Sequence, residues 1–177
     1  NLLSKQKNIN DFIDPKNINF TRVINEKKLD DFYNLKLSKY RTDEILFSGN
    51  FSGQGTAYID FFNDDSELIL ATVDGIFAFA DINNLENFLK ISSNFSDLVI
   101  YNEFYADYQY GIKDILIYRN ELFVSLIGKK KKDCYNIKIL KSKIDKEKLL
   151  FKVFYETPEC VDKNNDHGYL AHQGGGG

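Results

Sequence analysis

From position 49 onward the chain is built of short apolar runs separated by polar turns, the pattern of antiparallel strands. Ala57-Tyr58-Ile59-Asp60-Phe61-Phe62 is followed by the turn-forming Asn63-Asp64-Asp65-Ser66 and then by Glu67-Leu68-Ile69-Leu70-Ala71-Thr72-Val73. Asp74-Gly75 favours a two-residue hairpin turn, because glycine takes up the positive φ such a turn needs. Ile76-Phe77-Ala78-Phe79-Ala80 then completes three strands in a row. A poorer fourth lies around Phe88-Leu89-Lys90-Ile91, after a helical-looking stretch over residues 82 to 86.

The pattern then recurs. Ile112-Lys113-Asp114-Ile115-Leu116-Ile117-Tyr118, the tight turn Arg119-Asn120 and Glu121-Leu122-Phe123-Val124-Ser125-Leu126-Ile127 open a second set. Tyr135-Asn136-Ile137-Lys138-Ile139-Leu140 and Leu149-Leu150-Phe151-Lys152-Val153-Phe154-Tyr155 complete it. Four strands per unit at an interval of roughly fifty residues is the arithmetic of a β-propeller blade. Glu67-Leu68-Ile69-Leu70 and Glu121-Leu122-Phe123-Val124 hold equivalent places, each opening the second strand of its unit.

The expected fold is therefore all-β, a partial β-propeller of about two four-stranded antiparallel blades. Residues 1 to 48 read as an irregular N-terminal segment, 49 to 100 as a first blade, 101 to 160 as a second, and 161 to 177 as the start of another. Within the first segment, polar and rich in Asn and Lys, Asp30-Asp31-Phe32-Tyr33-Asn34-Leu35 reads as one or two helical turns. Two blades cannot close a ring, so this reading implies an open face. A self-contained two-sheet sandwich has the same strand count and is the alternative.

At 177 residues, 43% hydrophobic and 15% aromatic, the chain has the material for a real core. Its formal charge of -3 argues against a nucleic-acid surface, which needs clustered cations to replace phosphate counterions. No apolar run is long enough for a membrane span, and Asn1-Leu2-Leu3-Ser4-Lys5 lacks the features of a signal peptide. The absence of Met anywhere reads as a fragment or a processed product.

Cys134 and Cys160 have no metal-binding or CxxC spacing; they read either as a disulfide or as two buried thiols. Closed, such a loop would stabilise the fold by about 3 to 4 kcal/mol in the chain-entropy model. The Asn-x-Ser/Thr triplets at Asn19, Asn50 and Asn94 are mostly chance in a chain so rich in Asn and Ser. The lysines at 129 to 132 read as a solvated hairpin loop, and Gly53-Gln54-Gly55-Thr56 as a turn, since it precedes a strand rather than opening a helix. Tyr101, Phe104, Tyr105, Tyr108 and Tyr110, interleaved with Glu103 and Asp107, form an aromatic-acidic loop suited to packing or to stacking on a sugar or quinone.

The two histidines, His167 and His172, are too few for zinc, and the alternation Asp162, Asn164, Asp166 lacks the glycine and terminal Glu of a calcium loop, so no metal site is expected. His172 is nonetheless placed beside Gly174-Gly175-Gly176-Gly177. Glycines let a backbone approach a ligand closely, and histidine can take a proton from a hydroxyl near neutrality. The plainer reading is a solvated histidine before a flexible tail.

The order of Gln109-Tyr110-Gly111-Ile112, the blade with Ile115-Leu116-Ile117-Tyr118 and Leu122-Phe123-Val124-Ser125, and then Ala171-His172-Gln173-Gly174-Gly175 resembles the soluble quinoprotein sugar dehydrogenases, the glucose/sorbosone dehydrogenase family of six-bladed propellers. The resemblance covers roughly residues 50 to 177. It implies an exported protein, periplasmic or secreted, that oxidises a sugar hydroxyl with pyrroloquinoline quinone (PQQ) and calcium and passes electrons to an acceptor. By the same resemblance His172 matches the general base and Gln109 lies at the substrate and cofactor pocket. The family's ligands to PQQ and calcium come from later blades, so the 177 residues alone are expected to be inactive and to bind neither. A non-catalytic propeller that binds a protein or glycan is the alternative.

Overall fold

The computed structural model describes residues 17–28, 34–42, 57–72, 75–85, 87–99 and 111–162. These form strands β1 (Asn17–Lys28), β2 (Asn34–Thr42), β3 (Ala57–Phe62), β4 (Glu67–Thr72), β5 (Phe77–Asp81) and β6 (Asn87–Ser93), then one helical turn, α1 (Phe95–Leu98). Strands β7 (Ile112–Tyr118), β8 (Glu121–Lys131), β9 (Cys134–Lys143), β10 (Lys148–Leu149), β11 (Lys152–Glu156) and β12 (Val161–Asp162) follow. The first sheet has the order β2-β1-β6-β5-β4-β3 with β10 alongside β6, and the second β11-β9-β8-β7 with β12 alongside β9. Each contains a four-stranded antiparallel meander, and the fold is all-β and propeller-like.

Turn chemistry sets the boundaries. Arg119 and Asn120 both take positive φ, 50° and 61°, the geometry of the two-residue hairpin turn whose twist matches its strands. Asn63, Asp64 and Asp65, at 56°, 54° and 61°, belong to the residue types that tolerate this region best.

Three local expectations differ. In place of an irregular N-terminal segment, β1 and β2 form a hairpin registered from Phe20↔Thr42 to Lys28↔Asn34, and β1 joins the first sheet through Asn17↔Leu89. Asn34 and Leu35 are therefore extended, while residues 29 to 33 lie outside the described set. Residues 82 to 85 form turns instead of a helix, because the Asp81 carboxylate accepts the Asn83 N–H at 2.7 Å and the Asp81 carbonyl accepts that of Asn84 at 2.9 Å. The lysine run is not a loop: β8 continues to Lys131 and the chain reverses at Lys132 and Asp133.

The sheets stack in a defined sense. Ile69, Ala71, Phe77 and Phe79 of the first sheet share a core with Leu122, Val124, Leu126 and Leu140 of the second. Leu68, Leu70, Ala78 and Ala80, on the other side of the first sheet, belong to a separate cluster. Because Glu67 and Glu121 both open a second strand, Leu68 corresponds to Leu122 and Ile69 to Phe123. A two-fold sandwich would bring the Leu68 face onto the Leu122 face; here the Ile69 face meets it. The stacking is head-to-tail, the sense in which successive blades follow one another.

The first strands also lie side by side, as those of neighbouring blades do, and the Ile117 N–H donates to Asp60 Oδ2 at 2.6 Å. On the outer side, the connection from β9 to β11 crosses onto the first sheet. There β10 pairs in parallel with β6, Ser92 donates its hydroxyl to the Glu147 carbonyl at 3.1 Å, and Lys146 pairs with Glu67. Phe151 then packs against Phe77, ring centroids 5.0 Å apart, and Phe95, 6.1 Å. Its backbone is held on both sides by the Asn94 amide.

Candidate functional site

Gln109 and His172 lie outside the described residues, as do His167, the aromatic-acidic loop over 101 to 110 and Gly53-Gln54-Gly55-Thr56. Their attachment points are described. Gly111, at φ 109°, leads directly into β7, and Asp162 ends β12, ten residues before His172. Ile112 pairs with Leu126, midway along β8, and Asp162 pairs with Cys134 at the start of β9, so both segments join the half of the second sheet nearer the β8–β9 turn, at different levels along it. Three strand spacings, about 14 Å, lie between β7 and β12 across the sheet, and the offset from Lys138 to Cys134 adds about 14 Å along it.

Cys134 and Cys160 form a disulfide with Cα atoms 5.4 Å apart, and among the described residues no cysteine is free. It joins β9 to the residue before β12. Of the triplet asparagines, Asn94 donates its amide nitrogen to the Phe151 carbonyl at 3.0 Å, and Phe95 beside it is fully buried. That position serves packing.

On the side of the second sheet away from the first, β7, β8, β9 and β11 line an open concavity of about 640 Å³. Lys141 sits at its centre, 3.0 Å from Glu121 and 5.8 and 5.3 Å from the ring centroids of Phe123 and Phe154. The two rings meet edge to face at 5.3 Å, and Arg119 lies 5.0 Å over Tyr118. Leu116 and Phe154 are more than half exposed. Such a surface can cover an apolar partner or stack on a sugar ring. It went unseen in the sequence because its residues come from four strands whose mutual register is set only by folding; the alternation of Phe123 and Ser125 with Leu122 and Val124 was the available signal.

At the junction of β3 and β7, burial pushes the Tyr58 phenol above its ordinary value, and the charge of Asp114 adds to the shift. Asp114 Oδ1 accepts the Ile115 N–H at 2.8 Å. Tyr58 is thereby kept in its neutral form well into alkaline solution.

These residues do not fit the quinone and its calcium. A tricarboxylate needs an excess of cations, whereas the two that line the concavity, Lys141 and Arg119, are matched in number by Glu121 and Asp114, and Lys141 is paired with Glu121. Among the described residues no three His, Cys, Asp or Glu side chains converge to hold a metal. No helix of the described residues is long and apolar enough to cross a membrane.

No protein-family model matches the chain, and no curated protein matches it in sequence. Among solved structures, one titled glucose dehydrogenase resembles it with a TM-score of 0.44 and 11% identity, over 59% of this chain and 33% of that one. The chain thus spans about a third of the length of the protein it resembles.

Proposed function

We propose that this chain belongs to a propeller oxidoreductase that acts on sugar hydroxyls, with His172 as the base that takes the hydroxyl proton. The single observation that carries the reading is topological. The segment bearing Gln109 enters the second sheet, and the segment leading to His172 leaves it, in the half of that sheet nearer the β8–β9 turn. A substrate between loops at one end of a stack of blades would meet both. Gly111, at a φ that disfavours side chains, supports the reading of Gln109-Tyr110-Gly111 as a tight lead-in to a blade.

The Cys134–Cys160 bridge supports an exported, periplasmic or secreted protein, since such bonds persist in oxidising compartments. The concavity around Lys141 is not matched to PQQ. The chemistry proposed for this chain is therefore proton transfer at His172 alone; a sugar and an electron acceptor are its proposed partners. The test is an assay of the encoded protein with PQQ, calcium, aldoses and a dye acceptor. Dye reduction that falls by about a hundredfold or more in His172→Ala is expected. Dye reduction indifferent to that substitution would sink the reading.

A second reading, a non-catalytic module for a glycan or a protein, is favoured by the Phe123, Phe154 and Tyr118 concavity. It expects no dye reduction at all, and ligand binding that is lost in Phe154→Ala.

A further inference from the structure

The outer face of the second sheet combines exposed apolar rims with an ion pair on its floor. Register sets three cross-strand rows there: Asp114 beside Ser125 and Ile139, Leu116 beside Phe123 and Lys141, and Tyr118 beside Glu121. Phe154 stands at the far rim, in the bulge of β11, three strand spacings or about 14 Å from β7. Leu116, Tyr118 and Phe154 are 59%, 54% and 57% exposed, so each rim presents apolar surface to solvent. Between the rims, the Lys141 ammonium lies 3.0 and 3.1 Å from the two Glu121 carboxylate oxygens.

Size and charge narrow what can fill this face. Eleven residues line the concavity, whereas a stable protein interface takes roughly 20 to 30 a side, and a volume of about 640 Å³ is that of a small-ligand site. The lining charges cancel, Lys141 and Arg119 against Glu121 and Asp114, so an anion meets two carboxylates and a cation meets two cations. A wholly apolar ligand would strip water from the ion pair and return no hydrogen bond. A hydroxyl returns both kinds, because it donates to a carboxylate and accepts from an ammonium, and each of these ions has capacity beyond their mutual contact. A sugar ring adds an apolar face of C–H groups, suited to an exposed aromatic ring. Lys141 and Arg119 each lie over one face of such a ring, Phe154 at 5.3 Å and Tyr118 at 5.0 Å, which leaves the opposite face for the sugar.

The geometry points to a binding site for a neutral oligosaccharide on the outer face of the second sheet, with hydroxyls shared between Glu121 and Lys141 and sugar rings stacked on Phe154 and Tyr118. The site rests on the second reading above, in which this face binds a ligand, and it narrows that ligand to an uncharged glycan.

The test is calorimetric titration of the encoded protein with cellotetraose and maltotetraose as neutral probes, tetragalacturonate as an anionic one and the glucosamine tetramer as a cationic one. At least one neutral probe is expected to bind, ahead of both charged ones. Phe154→Ala and Tyr118→Ala should each weaken that binding by about tenfold, the worth of one aromatic stacking contact. Glu121→Gln gives an independent readout should either variant fail to fold. It keeps the shape and removes one negative charge, so affinity for the neutral probe should fall while affinity for tetragalacturonate rises, an exchange that a purely structural role would not produce. A charged probe that binds ahead of both neutral ones would overturn the neutral-sugar assignment and leave the binding-face reading standing. Neutral binding indifferent to both Phe154→Ala and Tyr118→Ala would overturn the site. If no probe binds, the assignment falls; the reading falls with it only if no protein partner is lost in Phe154→Ala either.

Discussion

The Asn94 side chain clasps the backbone of Phe151, donating to its carbonyl at 3.0 Å and accepting its N–H at 2.7 Å. This reciprocal pair joins the end of the first meander to the last strand connection of the second, and it seats the Phe151 ring between Phe77 and Phe95. Asn94→Ala leaves a partly buried donor and acceptor unpaired and should cost about 2 to 3 kcal/mol. Urea denaturation would show a lower midpoint at unchanged slope. A change below about 0.5 kcal/mol would mean that water replaces the clasp.

Gly75 stands against the same aromatic group. Its φ is 85°, and a Cβ there would come within 2.4 Å of the Phe95 ring. Gly75→Ala combines backbone strain with overpacking and should destabilise by about 2 to 4 kcal/mol. Thermal melts of Gly75→Ala and of Gly75→Ala with Phe95→Leu would separate the two, because the smaller residue relieves only the clash.

Much of the strand order was legible because alternation and turn residues are local signals: Ala57 to Phe62, Glu67 to Thr72 and Ile112 to Tyr118 fold as they read. What could not be read were elements fixed from a distance. The β1–β2 hairpin gains its place by pairing with β6, and Lys130 belongs to strand β8, with its ammonium donating to the carbonyls of Thr157 and Pro158. Gln109 and His172 were legible as motif residues, and the structure describes only the strand ends from which they extend. The concavity around Lys141 depends on strand register and could not be assembled from one run of sequence.

Head-to-tail stacking gives neighbouring residues of β8 unequal weight. Leu122 is fully buried between the sheets, whereas Phe123 faces the open concavity. Leu122→Ala should cost about 2 to 5 kcal/mol. Phe123→Ala should cost less than about 1.5 kcal/mol, chiefly its ring contact with Phe154. Equal or reversed costs, read from denaturation of the two variants, would contradict the stacking sense.

Tyr58 sets an alkaline limit. Its folded-state pKa is raised, first by burial and then by Asp114, so the neutral phenol is favoured by folding. That contribution is complete below the unfolded value near 10 and is lost as pH rises from there through the folded value. Denaturation at a series of pH values should show native stability falling above pH 10, and the Tyr58 part of that fall should vanish in Tyr58→Phe. Asp114→Asn should bring its onset and end closer together. The same alkaline profile in native protein and Tyr58→Phe would rule Tyr58 out as its source.

The most direct measurement is the pH dependence of kcat/KM for sugar-driven dye reduction by the encoded protein, native and His172→Ala. A base acting in the free enzyme gives an acid limb with an apparent pKa near that of histidine, about 6.5. The account predicts that limb in the native protein and its disappearance in His172→Ala, with a rate lower by about a hundredfold or more. An unchanged limb and rate in His172→Ala would contradict it.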